Sequence, residues 1–251
     1  MEIKVDTHVH TVHSLHAYST IHENTLEAQK KNLEGIVISD HFGPYFVGGN
    51  LFQSFAGIAN IRNIPDEIND IKIINGVEID IIDKMGNLAF FDHYFPFDSS
   101  ESVLERLVKK CSMIIASYHQ FGNLTLTSLE NTNMLISVLS NPDVHVLGHC
   151  DRIPGKFEEL AVIQTAKKLN KVIELNTHSF NKDKMAQERI KRIAILCAEN
   201  DTKVTIGSDA HFATDIGNFS AIKNMLTSIS FPEELLINTS VGKIYDFLNQ
   251  H

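Results

Sequence analysis

Several features that would direct the reading elsewhere are missing from this chain of 251 residues. There are only three cysteines, Cys111, Cys150 and Cys197, widely spaced and never in a Cys-x-x-Cys pair, which excludes a disulfide framework or thiolate zinc site and predicts reduced thiols in a cytoplasmic protein. No run approaches the ~18 consecutive apolar residues of a membrane span, and the first residues lack the basic and apolar regions of a signal peptide. Cations are also short: 22 Lys and Arg face 31 Asp and Glu, a net charge of −9, which argues against a long nucleic acid or an anionic membrane as partner. Internal repeats and Pro/Gly/Ser-rich linkers are absent too. The 43% hydrophobic content is that of an ordinary globular protein, and a barrel of ~250 residues is one domain, so residues 1–251 read as a single unit.

Seven apolar, β-branched runs stand out, at 3–6, 36–39, 71–77, 113–117, 144–148, 172–176 and 203–207. They are nearly continuous in apolar character, which suits parallel strands covered on both faces. Helical spacing fills the intervals, at about 25–33, 102–110, 132–139, 157–169, 185–200, 220–228 and 240–248, with Gly35 read as a stop signal behind the first. This alternation predicts an α/β fold, either one barrel or one doubly wound sheet. The longer stretch 42–70, rich in glycine and aromatics, reads as a loop over the site or as a packed aromatic cluster.

Chemistry gathers where the strands stop. Asp6-Thr7-His8-Val9-His10, Asp40-His41, Glu78-Ile79-Asp80, Tyr118-His119, His149-Cys150-Asp151, Thr177-His178 and Ser208-Asp209-Ala210-His211 each follow or end one strand. In a parallel barrel all carboxyl ends open on one face, so residues remote in sequence converge there. The period of two puts His8 and His10 on one side of an extended segment, and Asp209 and His211 repeat the spacing. Imidazoles and carboxylates without cysteine favour a catalytic Zn2+, Mn2+ or Fe2+ over a structural thiolate site.

These motifs, with Gly76-Val77-Glu78, Gly148-His149 and Gly207-Ser208-Asp209-Ala210-His211, resemble those of the PHP (polymerase and histidinol phosphatase) superfamily, and His16-Ala17-Tyr18-Ser19-Thr20 resembles its YcdX-like branch. The resemblance implies a single-domain distorted (β/α)7 TIM-like barrel with a trinuclear centre. It implies one ion on His8, His10, Glu78 and Asp209, a second on Glu78, His119 and His149, and a third on His16, His41 and His211, with Glu78 bridging the first two. Three divalent ions, Zn2+ first with Mn2+ or Fe2+ as alternatives, imply a phosphatase that hydrolyses a small phosphate monoester with a metal-bridging hydroxide. Histidinol phosphate, a nucleotide and a phosphotyrosine are alternative substrates, and a non-catalytic metal-binding protein is the alternative of another class.

Other residues carry two readings. Arg152 is either a guanidinium clamp on phosphate or a surface arginine before Pro154-Gly155. His13 competes with His16 for the third ion. His178 either touches substrate or is a hydrogen-bonded loop residue. Asp6, Asp40 and Asp80 adjoin ligands and are candidates to orient them, although adjacency can turn Asp40 away. Phe42, Tyr45, Phe46, Phe52 and Tyr118 shape a pocket or pack in the core or lid, while His93 and His145 read as structural.

Overall fold

A computed structural model describes residues 1–47, 49–119 and 125–250. Nine strands occur among them: β1 (Val5–Val9), β2 (Gly35–Ile38), β3 (His41–Phe42), β4 (Glu67–Ile68), β5 (Ile71–Asp80), β6 (Met113–Ser117), β7 (Val146–Leu147), β8 (Val172–Asn176) and β9 (Val204–Gly207). Seven of them, in the order β1-β2-β5-β6-β7-β8-β9, pair in parallel and curl into a nearly closed barrel with helices outside. Each of the seven predicted runs is therefore a barrel strand. Val5–Val9, Met113–Ser117 and Val172–Asn176 are buried at every position, as strands with a filled lumen on one side and helices on the other must be.

Two strands run further than their apolar stretches. β1 continues to Val9 and β5 to Asp80, so His8 and Glu78 sit inside the sheet rather than just beyond it. Local chemistry also moves helix boundaries. Helix Ile21–Lys30 begins before its apolar periodicity because Thr20 and Glu23 form a reciprocal cap, and Thr127 with Glu130 does the same for Ser128–Ser140. Gly35 does not end the first helix. The left-handed residue there is Asn32, at φ 55°, and Gly35 opens β2, where a Cβ would come 3.1 Å from the Lys72 carbonyl.

The stretch 42–70 contains a helix, Leu51–Ala59, capped by Asn50, and the two-residue strand β4. Within and beside it, Phe42 is fully buried in the core, whereas Phe52 stands out at the surface against Phe95 and Phe97. His13 packs on this helix: its Nε2 lies 3.2 Å from the Ser54 carbonyl, and a Cβ on Gly57 would fall 1.9 Å from its ring. No helix of the described residues is long and apolar enough to cross a membrane.

Between β1 and β9 the ladder is replaced by a seam. At its upper end Val9 bridges Ala210, and Asp6 accepts from the Ser208 and Gly217 amides, both at 2.9 Å. At its lower end the buried Asn238 donates from Nδ2 to the Val5 and Ile206 carbonyls at 2.8 and 2.9 Å, and its own carbonyl accepts from Lys4 and Val5. Replacing Asn238 with alanine removes both of these donors, leaving the Ile206 carbonyl only the Thr7 hydroxyl at 3.3 Å, at about 1 kcal/mol or more for each lost bond. At ~2–4 °C per kcal/mol for a chain of this size, melting of Asn238→Ala is expected ~4–8 °C below wild type, measured by circular dichroism.

Candidate metal centre

The carboxyl ends of the seven strands open on one mouth, and Glu78 stands at its centre, fully buried. Its two oxygens face different imidazoles. Oε1 lies 2.9 Å from His149 Nε2 and 3.6 Å from His119 Nε2, while Oε2 lies 3.4 Å from His8 Nε2, 3.6 Å from His10 Nε2 and 2.7 Å from His41 Nδ1. The short pairing of β3 with β5 sets His41 opposite Glu78 in register. Asp209 Oδ1 approaches His10 Nε2 at 3.1 Å and His8 Nε2 at 3.7 Å. Asp209 holds a left-handed backbone, φ 56°, fixed by its amide donating to the His8 carbonyl at 2.8 Å.

A second convergence lies toward the rim. His211 Nε2 is 2.9 Å from His16 Nε2 and 3.4 Å from His41 Nε2. A neutral imidazole offers one N–H and one lone pair, so three such nitrogens cannot all satisfy one another, whereas a cation accepts all three lone pairs. The deeper cluster shows the same shortage: His8 Nε2 is buried with no hydrogen-bond partner, and His41 Nδ1 and Glu78 Oε2, although 2.7 Å apart, are not aligned to hydrogen-bond. Triads His8-His10-Glu78, His41-Glu78-His119 and His10-His41-His211 each bring three donor atoms within 4.8 Å of one another. This donor set, nitrogen and carboxylate oxygen around buried unpartnered atoms, fits divalent transition-metal ions. His13 stays outside it, held by Ser54.

Around the donors lies a ring of orienting groups. Asp80 accepts from His119 Nδ1 at 2.8 Å. Asp40 does not point away: it binds the Thr11 amide and hydroxyl, each at 2.7 Å, and the hydroxyl of Ser14, which in turn meets His10 Nδ1 at 3.1 Å. Asp6 secures the seam. Glu174, in the middle of β8 and 2.7 Å from His8 Nδ1, was not singled out by strand-end position, because the run Val172–Asn176 reads as an apolar strand with one charge in it. That interior charge in a fully buried strand was the available signal.

Arg152 follows His149 in a short 3-10 turn and reaches back into the mouth. Its Nη2 donates to Asp209 Oδ2 at 2.6 Å and Asn176 Oδ1 at 2.9 Å, and its Nε to Ser179 Oγ at 2.6 Å. It also borders a cavity of about 1070 Å³ that Tyr118, His119, Lys156, Ser179 and Lys182 help to line. Phe46 stacks on His41 at 4.0 Å and on His16 at 5.4 Å. Elsewhere, His178 is exposed on a separate polar recess, and His93 pairs with Asp92 at the surface. His145 accepts from the Ile114 amide, consistent with a structural part.

The electrostatics follow from crowding. Burial favours neutral Glu78, yet the imidazoles of His8, His41 and His119 outweigh it and hold the carboxyl well below its usual range. Burial likewise opposes charge on Asp209, but His8, His10 and Arg152 keep it ionised. His8 overcomes burial through Glu174, Glu78 and Asp209 and is raised well above 6.5; His119 is raised through Glu78 and Asp80. Burial lowers His10, His16 and His211, and with Arg152 nearby pushes His149 down to about 4.

These shifts set the sign of a pH effect in the metal-free protein. Of these six imidazoles two are raised and four depressed in the fold, so the four take up protons less readily than unfolded imidazoles, which at pH 6 are roughly three quarters protonated. The unfolded state then binds more protons, so stability falls as pH drops from 7 toward 5. Below the unfolded carboxyl range Glu78 and Asp209 add to the loss, since their depressed values stabilise only above it. Thermal melts of chelated protein across this range are expected to show a falling melting temperature; a flat or rising one contradicts the assignment.

The chain as a whole is similar to known proteins. The profile of the PHP domain matches residues 6–230. A protein named probable phosphatase from Caldicellulosiruptor saccharolyticus is 36% identical over 251 residues, covering 100% of this chain and 98% of that one. Another, probable phosphatase TTE1963 from Caldanaerobacter subterraneus subsp. tengcongensis, is 36% identical, with coverage of 100% and 92%. Among solved structures, a histidinol phosphate phosphatase of Lactococcus lactis, complexed with zinc, L-histidinol and phosphate, superposes with a TM-score of 0.61 at 18% identity, covering 91% of this chain and 94% of that one.

Proposed function

This chain belongs to the PHP domain family, and from that premise we propose that the barrel mouth hydrolyses a small phosphate monoester with the aid of three divalent metal ions. The observation that carries the reading is the division of Glu78: one oxygen faces His119 and His149, the other His8 and His10 with His41 nearest at 2.7 Å, so this carboxylate stands between two sets of imidazoles that would hold separate ions. Asp209 completes the first set, and the convergent nitrogens of His16, His41 and His211 form the third. Bound ions would lower the pKa of coordinated water toward neutrality and neutralise phosphate oxygens. Zinc is the first choice because the solved relative carries it, with manganese and iron sharing the same ligands.

The remaining work falls to the protein. His8, His10 and His149 are buried, while His119 and His211 keep part of their surface open, so the phosphoryl group arrives from the side of those two rings. Arg152 holds Asp209 in place with Nη2, and its Nη1, without a hydrogen bond among the described residues, is the group offered to phosphate. The organic part of the ester occupies the hollow beside His119 and Arg152. Histidinol phosphate is a candidate there because of the solved relative, alongside a nucleotide or a phosphotyrosine. Three free cysteines agree with a cytoplasmic setting.

The test is release of inorganic phosphate from p-nitrophenyl phosphate and histidinol phosphate, with zinc or manganese and after chelation. Metal-dependent release supports the reading, and no release from protein with metal bound defeats it. Arg152→Ala adds a second arm: the expected result is a rise in KM or a fall in kcat, and wild-type kinetics would remove Arg152 from the site.

A further inference from the structure

We propose that Glu174 is a positioning residue that selects the ring tautomer of His8 and anchors His149 at the same time, so that one carboxylate keeps the ligands of two neighbouring ion sites in register. The inference rests on the metal reading above.

Glu174 is 2% exposed and accepts on both oxygens: Oε1 meets His8 Nδ1 at 2.7 Å, and Oε2 takes the His149 amide at 2.7 Å and Asn176 Nδ2 at 3.3 Å. An ionised carboxylate only accepts, so it retains the Nδ1 proton of His8, and Nε2 is the ring nitrogen that would give up its proton and offer a lone pair to an ion. That atom is the one with no hydrogen-bond partner, 3.4 Å from Glu78 Oε2. The His149 amide cannot turn away, since its backbone is fixed where β7 gives way to the Cys150–Arg152 turn. Asp80 performs a simpler task, holding His119 alone.

Gly207 keeps the space open. A Cβ there would fall 2.4 Å from Glu174 Oε1 and 2.5 Å from His8 Cβ, so no side chain fits between β8 and β1 while the carboxylate stays on His8.

Glutamine tests the point because it has the same shape and a single acceptor oxygen. With that oxygen on the His149 amide, its NH2 group faces His8 Nδ1 and drives the ring proton to Nε2, where it blocks a metal. With the oxygen on His8, the NH2 group opposes the His149 amide. Either way one ion site loses its geometry, whereas a group that merely fills space would be replaced without effect.

The zinc affinity of the full-length wild type, Glu174→Gln and Gly207→Ala, stripped and reloaded, is measured by competition with a chromogenic chelator. Glu174→Gln is expected to weaken binding about 10- to 100-fold with an unchanged far-ultraviolet circular dichroism spectrum. Two-bond 1H–15N spectra of the zinc-loaded samples are expected to show the His8 proton on Nδ1 in wild type and a population on Nε2 in the variant. Zinc affinity within twofold of wild type, or an unchanged His8 tautomer, overturns the proposal. Should the glutamine variant fail to fold, Gly207→Ala decides: it keeps the carboxylate but displaces it, and wild-type affinity there overturns the proposal as well. Because the readout is zinc, a wild type that binds zinc but releases no phosphate defeats the functional reading and leaves this one standing; a wild type that binds no zinc defeats both.

Discussion

Glu78→Gln is expected to reduce phosphate release by about three orders of magnitude or more without unfolding the barrel. The substitution preserves volume and removes one negative charge from the point where five imidazoles meet. In the proposed centre two ions lose their shared anionic ligand at once. Charge stabilisation by a bound metal contributes several kcal/mol to such a transition state, and each ~1.4 kcal/mol is a tenfold change in rate, which gives the magnitude. Glu78→Asp separates charge from reach: it keeps the anion but draws it back by one methylene, and an intermediate loss is expected. A Glu78→Gln enzyme with wild-type turnover and metal content would remove Glu78 from the centre.

Stripping the metal is expected to abolish turnover and also to lower the melting temperature by about 8–16 °C. An ion that binds only the folded state stabilises it by about 4 kcal/mol when present at a thousand times its dissociation constant. At ~2–4 °C per kcal/mol for a chain this long, the shift follows. Without an ion the donor atoms of the mouth are left to one another, and His8 Nε2 among them is buried with no hydrogen-bond partner. Scanning calorimetry before and after chelation, with zinc added back, reads both the loss and its recovery. An unchanged transition would mean that these atoms hold no tightly bound ion.

Much of this was legible in the order of residues. Every barrel strand was visible, because burial on both faces demands an unbroken apolar run, and the donors stood out because parallel strands deliver their carboxyl ends together. Glu78, His119 and His149 converge from three strands that no local pattern connects, yet each was marked by a polar residue breaking or ending an apolar run. What was missed depended on contacts invisible to periodicity. The helix Leu51–Ala59 hid in a stretch whose aromatics resembled loop or cluster, and its partner His13 is held by a backbone carbonyl and a glycine. Asp40 was ambiguous because its use depends on how the chain turns through Thr11 and Ser14. Glu174 was overlooked because its partners come from β1 and from the turn after β7.

The seam beside β1 governs the order in which the molecule can be finished. His10 and Asp209, which meet across it, are 199 positions apart in the chain. Closing a loop of that length costs entropy that only late contacts return, and long-range parallel pairing is slow. During synthesis the first ligands emerge from the ribosome almost a whole protein before their counterparts, and Asn238, which fills the lower seam, comes later still. The two halves of the centre therefore meet only late in synthesis, and a chain cut just before residue 238 would carry all nine assigned ligands without the side chain that ties the lower seam.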